Sequence, residues 1–228
     1  MKKLFALMCL AFFGVSTCSS PRPIESPHVS KKEIVERLER TTVALVLPSD
    51  EGKLLAYCGG VWIDQLRILT AKHCVESMPI VAYEVFGDTH EKITRIALIE
   101  DTESSTDLAL LSVDPLTAPE HPVAMFGEDV WTGQHVNIIG HTTGMWWTYI
   151  DGVVSSESLH GQPIKDIKPC ALQISSAAWF GNSGGGAFDD EGNLIGISSW
   201  ITTKAPMMSF FIYKDEIKKF LVKNYSGG

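Results

Sequence analysis

From residue 42 onward the chain is divided into short, evenly spaced runs of β-branched, aromatic and leucine side chains, each stopped by turn residues. They read TVALVLP (42–48), LLAYCGGVWI (54–63), RILTA (67–71), IVAYEVFG (80–87), ITRIALI (93–99) and DLALLSV (107–113). A second set follows as HVNIIG (135–140), WTYIDGVVSS (147–156), ALQISS (171–176), GAFDDEGNLIGISSW (186–200) and MSFFIY (208–213). Runs of this length and spacing, with no helical pattern between them, predict an all-β sandwich or barrel. Asp189-Asp190-Glu191-Gly192-Asn193 between two apolar stretches predicts a hairpin turn. Residues 114–134, with Pro115, Pro119, Pro122 and Gly133, separate the two sets as a linker. Helices are expected only at the ends. Residues 31–40 follow a Ser30/Glu33 capping box, and residues 214–225 read as a closing amphipathic helix.

The N-terminus has a different texture. Lys2 and Lys3 precede an uncharged apolar run, Leu4 to Val15, and the small residues Ser16 to Ser20 follow. The run is too short to span a bilayer and has the order of a signal peptide, assigned to residues 1–18. Val15-Ser16-Thr17-Cys18 also resembles a bacterial lipobox, with Thr17 where Gly, Ala or Ser is usual. Two fates follow: lipidation at Cys18 with attachment to a membrane, or plain secretion. Residues 19–30 are rich in Ser and Pro and suit a flexible tether, which leaves residues 31–228 as the folded unit. The expected location is the periplasm or cell envelope, or the medium. A net charge of −8, from 27 acids and 19 bases, excludes nucleic acid as a partner, since phosphates demand a basic face. Export permits disulfides. Of the five cysteines, Cys58 and Cys74 form a candidate pair and Cys170 is left as a buried small hydrophobe.

The chemistry centres on Gly181-Asn182-Ser183-Gly184-Gly185-Gly186. Glycines on both sides of a serine permit a sharp turn and close approach of a substrate, and they free N–H groups for a developing oxyanion. The loop also satisfies the G-x-S-x-G nucleophile elbow of α/β-hydrolases, in which the catalytic histidine follows the serine. Here all seven histidines (28, 73, 90, 121, 135, 141, 160) precede Ser183, so that reading fails on order. His73 stands at the end of a β-run in Leu69-Thr70-Ala71-Lys72-His73-Cys74, and a Cys58–Cys74 bridge would pin the backbone beside it. The third group must be a sheltered carboxylate that orients the imidazole. Asp107, at the head of Leu108-Ala109-Leu110-Leu111, is the acid placed for that. Asp101, Asp114 and Asp129 lie in polar or Pro-adjacent stretches.

CGGVWI…RILTAKHC, TDLALL and GNSGGGAF, in this order across residues 42–213, resemble the chymotrypsin-fold (trypsin-like) serine proteases. Within them, LQISSAAWFGNSGG and GHTTGMWWTYIDGVVSS are most similar to the bacterial Htr-type proteases without a PDZ domain. The resemblance implies two packed six-stranded β-barrels, the first about 42–113 and the second about 135–213. It implies His73 and Asp107 on the first barrel and Ser183 on the second, with an oxyanion hole from the N–H groups of Gly181 and Ser183. The expected activity is serine endopeptidase, acting on protein or peptide substrates without a cofactor. Animal trypsins carry an Asp before the nucleophile that pairs with a newly cut N-terminus. Asn182 stands here, so no such zymogen switch is expected, and no residues remain after the closing helix for a PDZ domain. By position, Ala177 would lie at the floor of the specificity pocket, and Ser199-Trp200-Ile201 on the strand that pairs with substrate. An uncharged floor and Ile201 in place of Gly imply small aliphatic residues at the cleaved position. The oligomeric state stays open.

Three features are set aside. His135 and His141 lack an accompanying carboxylate or Cys cluster and read as loop and surface imidazoles, so no metal is expected. Trp146, Trp147 and Tyr149 read as barrel and loop packing, and the terminal helix as packed on the second barrel. The alternative function is a non-catalytic, envelope-anchored binding module on the same fold.

Overall fold

The computed structural model describes residues 29–78, 80–86, 92–157, 171–202, 205 and 207–225. The predicted signal segment with Cys18, most of the tether, and Cys170 lie outside the described residues.

Strands β1 (Thr42–Pro48), β2 (Leu54–Trp62), β3 (Arg67–Ala71), β4 (Ile80–Phe86), β5 (Lys92–Glu103) and β6 (Leu108–Val113) close into a barrel in the order β1-β2-β3-β6-β5-β4. Strands β7 (His135–Gly140), β8 (Thr148–Ser156), β9 (Ala171–Ser176), β10 (Gly186–Phe188), β11 (Leu194–Ile201) and β12 (Met208–Tyr213) close into a second, in the order β10-β11-β12-β9-β8-β7. Among the described residues the barrel ladders are antiparallel, and closure of each sheet leaves no open edge to be protected. The all-β, two-barrel expectation holds.

The continuous apolar character of several strands has a cause in this arrangement. Successive residues of a strand face opposite sides. Val43, Ile68 and Leu111 fill the first barrel, and Ile138 fills the second. Their neighbours Ala44, Leu69, Leu110 and Ile139 join a third cluster that is shared by both barrels. Strands at this seam are therefore buried on both faces.

Helix α1 (Lys31–Thr41) starts at the predicted capping box and lays Ile34 and Leu38 into the seam. Its Arg37 guanidinium donates to the Glu191 carbonyl in the β10–β11 turn. Helix α2 (Lys214–Tyr225) packs Ile217, Phe220 and Leu221 into the same cluster. It reaches further than expected: the Tyr225 hydroxyl donates to Asp64 and the Arg67 guanidinium lies 4.5 Å over its ring, so α2 also ties down the first barrel.

His141 overturns the surface reading. Its side chain is fully buried at the seam. Nε2–H donates to the Val43 carbonyl at 3.1 Å and Nδ1 accepts the Trp147 N–H at 3.2 Å. Trp147 packs beside it, and its indole N–H reaches the Glu39 and Thr42 carbonyls. His135 does lie near the surface, with Nδ1 2.6 Å from Asp190.

Burial pushes the His141 imidazole down to about 4. The unfolded chain takes up this proton near pH 6.5, as an ordinary histidine does. The stability that His141 confers is therefore full above about pH 6.5 and is lost as pH falls towards 4, by on the order of 3 kcal/mol. Urea melts at pH 7 and pH 5 should show about 2 kcal/mol of this loss, and His141→Gln should flatten it. A wild-type stability that stays level across the window contradicts the assignment.

Candidate active site

The sheet register itself brings His73 to Asp107. Ala71, the last residue of β3, pairs with Leu108, the first of β6. A single 3-10 turn, Lys72–Cys74, continues from β3, and Asp107 directly precedes β6. The Lys72 N–H donates to the Asp107 carbonyl at 2.8 Å. Asp107 takes a left-handed backbone (φ 64°), a conformation that Asp accepts more readily than most residues.

The Asp107 carboxylate accepts the His73 backbone N–H at 3.0 Å through one oxygen. Its other oxygen takes the His73 Nδ1–H at 2.9 Å and the Ser199 hydroxyl. Burial works against the charge, but the hydrogen bonds from His73 and Ser199 outweigh it and hold the carboxyl below its usual range. Because Nδ1 is engaged, Nε2 is the His73 nitrogen free to handle a proton. The His73 side chain is 43% exposed.

Ser183 lies in the loop between β9 and β10, on the other barrel. Its carbonyl accepts the Gly59 N–H of β2 at 2.7 Å, and Sγ of Cys74 lies 3.7 Å from the same oxygen. The Gly184 N–H donates to the Ser198 carbonyl at 2.7 Å. Gly184 has φ +80°, and a Cβ there would overlap Thr70 Oγ1 and the Gly59 carbonyl. Only glycine lets the barrels approach this closely.

Cys58 and Cys74 form the expected disulfide, with Cα atoms 6.2 Å apart. Both sulfurs and a ring nitrogen of His73 lie within 4.8 Å of one another. The sulfurs are bonded to each other, so this trio offers a metal no pair of thiolates. The bridge instead fixes the His73 turn against β2, which also holds Ser183.

Gly181 (φ +98°) passes so close to the His141 carbonyl that a Cβ would strike it. The preceding Phe180 carbonyl accepts the Thr143 N–H at 2.7 Å. Since the peptide is planar and trans, the Gly181 N–H points away from Thr143. Among the described residues, neither the Gly181 nor the Ser183 N–H donates to a backbone carbonyl.

The expected pocket residues lie on adjoining strands: Ile201 of β11 pairs with Ser209 of β12, whose hydroxyl is 2.7 Å from that of Ser176, the residue before Ala177. Ala177 is exposed and Ala178 is buried. Trp200 is half-buried and stacks on Phe210 with centroids 5.5 Å apart, and Ile201 is half-buried. Ser199 lies in β11, the strand expected to pair with the substrate backbone, and its side chain turns to Asp107. The cause is a bulge: Ser198 pairs with Phe211 and Trp200 with Phe210, which takes Ser199 out of the ladder and re-aims it. Thr142 and Thr143 were not singled out in the sequence, where they entered only as part of the Htr-like stretch GHTTGMWWTYIDGVVSS.

Two closed β-barrels with a serine, a histidine and a buried aspartate gathered at their seam define the chymotrypsin-fold class. Residues 58–197 match the family model described as a trypsin-like peptidase domain, and the chain belongs to that family. It is 26% identical over 223 residues to serine protease HTRA1A of Danio rerio, covering 93% of this chain and 45% of that protein. It is 31% identical over 200 residues to serine protease HTR4 of Rattus norvegicus, covering 86% and 38%. The chain thus spans less than half the length of these relatives. Among solved structures, the HtrA-type protease AlgW with tripeptide is similar at a TM-score of 0.70 and 24% identity, covering 84% of this chain and 62% of that one. A serine endoprotease from Yersinia pestis is similar at a TM-score of 0.69 and 24% identity, covering 86% and 66%. These two likenesses concern the fold.

Proposed function

We propose that this chain is an exported serine endopeptidase that works through an acyl-enzyme. The observation that carries the reading is the bonded Asp107–His73 pair next to the Cys58–Cys74 disulfide, beside which the Ser183 main-chain carbonyl is held by the Gly59 N–H. Ser183 Oγ attacks the scissile carbonyl while His73 Nε2 takes its proton. Asp107 keeps that proton-accepting tautomer and stabilises the imidazolium. The N–H groups of Gly181 and Ser183 receive the negative charge that develops on the carbonyl oxygen. His73 then returns the proton to the leaving amine, and water releases the acyl group by the same route in reverse.

Peptide as the substrate class is supported by the AlgW neighbour, whose structure holds a tripeptide. Export is supported by the charged, apolar and small-residue order of residues 1–20 and by the disulfide. Cys18 is the proposed lipid attachment point. Preference for small aliphatic residues rests on Ala177, which offers no charge to a Lys or Arg side chain, and on Ile201, which fills space that a Gly would leave open. Digestion of a proteome-derived peptide library, read by mass spectrometry, tests both levels. Internal cleavage after Val and Ala is expected. A profile dominated by Arg, Lys or Phe at the cleaved position would refute the specificity, and intact peptides would refute the activity.

A further inference from the structure

We infer that the turn His141–Gly144 is the device that holds the Phe180–Ser183 loop in its donor-presenting posture, with the Thr142 hydroxyl as its positioning group. The inference rests on the peptidase reading above and concerns how its oxyanion site is kept ready.

Two hydrogen bonds join the turn to the loop. The Asn182 amide donates to Thr142 Oγ1 at 2.7 Å, and the Thr143 N–H donates to the Phe180 carbonyl at 2.7 Å. Asn182 is 1% exposed, and among the described residues its only other side-chain bond runs from the same nitrogen to the Trp179 carbonyl at 3.0 Å. Its Oδ1 is buried with no hydrogen-bond partner among the described residues. Among the described residues the side chain is therefore hydrogen-bonded through its nitrogen alone, and Thr142 supplies the hydrogen bond that comes from outside the loop. Room for it exists because Gly140 has no Cβ; one there would overlap Oδ1.

The turn is shaped for this task at some conformational cost. Thr143 (φ 51°) and Gly144 (φ 81°) both occupy the left-handed region. For a β-branched residue this is strained, and such strain persists only where surrounding contacts over-determine it. His141 supplies those contacts, being bonded at both ring nitrogens and tied to Val43 of the first barrel. The loop on the second barrel thus takes its position from the barrel that carries His73 and Asp107. Asn182 and Thr142 are both neutral, so the link needs neither a newly freed amine nor a partner charge.

Thr142→Val keeps the shape and removes the acceptor, and Thr142→Ser restores it. Both variants of the full chain should be assayed by steady-state kinetics on a peptide substrate and by amide hydrogen exchange. Removing a single oxyanion donor costs about 100- to 1000-fold in turnover, and misplacing one costs a part of that. Thr142→Val should lower kcat by at least about tenfold with KM within about threefold, and Thr142→Ser should stay within about threefold of wild type. Exchange of the Thr143 and Asn182 N–H groups should quicken by about tenfold or more in Thr142→Val alone. Unchanged exchange overturns the inference. So does faster exchange with unchanged kcat, or a Thr142→Ser variant as impaired as Thr142→Val. If wild type cleaves nothing, the peptidase reading falls, and exchange alone decides whether Thr142 orders the loop.

Discussion

Ser183→Ala is expected to abolish hydrolysis of casein while leaving the melting temperature within about 2 °C of wild type. The bonds that place residue 183 run through its main-chain carbonyl, to the Gly59 N–H and beside the Cys74 sulfur, and alanine keeps that carbonyl. The glycines around it are unaffected, so the barrels remain in contact. What disappears is the hydroxyl that forms the acyl bond. Loss of such a nucleophile costs about 10⁶-fold in kcat in serine proteases of this mechanism. Casein cleavage at the wild-type rate by purified Ser183→Ala would dismiss Ser183 as nucleophile.

Asp107→Asn should reduce kcat by about 10⁴-fold, with a much smaller effect on KM. The present carboxylate accepts three hydrogen bonds: from the His73 backbone N–H, the His73 ring N–H and Ser199. Asparagine keeps one acceptor oxygen and replaces the other by a donor. When that donor faces Nδ1, the imidazole must carry its proton on Nε2 and can no longer take one from Ser183. The backbone is not a confounding factor, because Asn tolerates the left-handed φ of 64° as Asp does. Asp107→Ala would add strain to the chemical defect and is the poorer test. A kcat for Asp107→Asn within tenfold of wild type would remove Asp107 from the mechanism.

Much of this architecture was legible in the sequence because it is local. The β-runs are stopped by turn residues at nearly the observed strand ends, from TVALVLP for β1 to MSFFIY for β12. The capping box at Ser30 starts α1 as read. Asp107 was identifiable because an acid heading an apolar strand demands a partner. Whatever depends on how the two barrels meet was not legible. His141 looked like a loop imidazole, because only barrel docking buries it against Val43 and Trp147. Ser199 was read only for its place on the strand expected to pair with substrate, and its bond to Asp107 was not foreseen because it depends on a bulge in β11. Thr142 lies in the Htr-like stretch GHTTGMWWTYIDGVVSS, but its individual role was not legible, since it follows from the Asn182 amide forty residues away.

The most direct measurement of the central claim is covalent labelling of the purified chain by a fluorophosphonate, with the modified residue located by peptide mass spectrometry. An activated serine should react in minutes, at Ser183 alone, and labelling should vanish in Ser183→Ala and fall steeply in Asp107→Asn. No labelling of wild type, or labelling at another serine that persists in Ser183→Ala, would contradict the account.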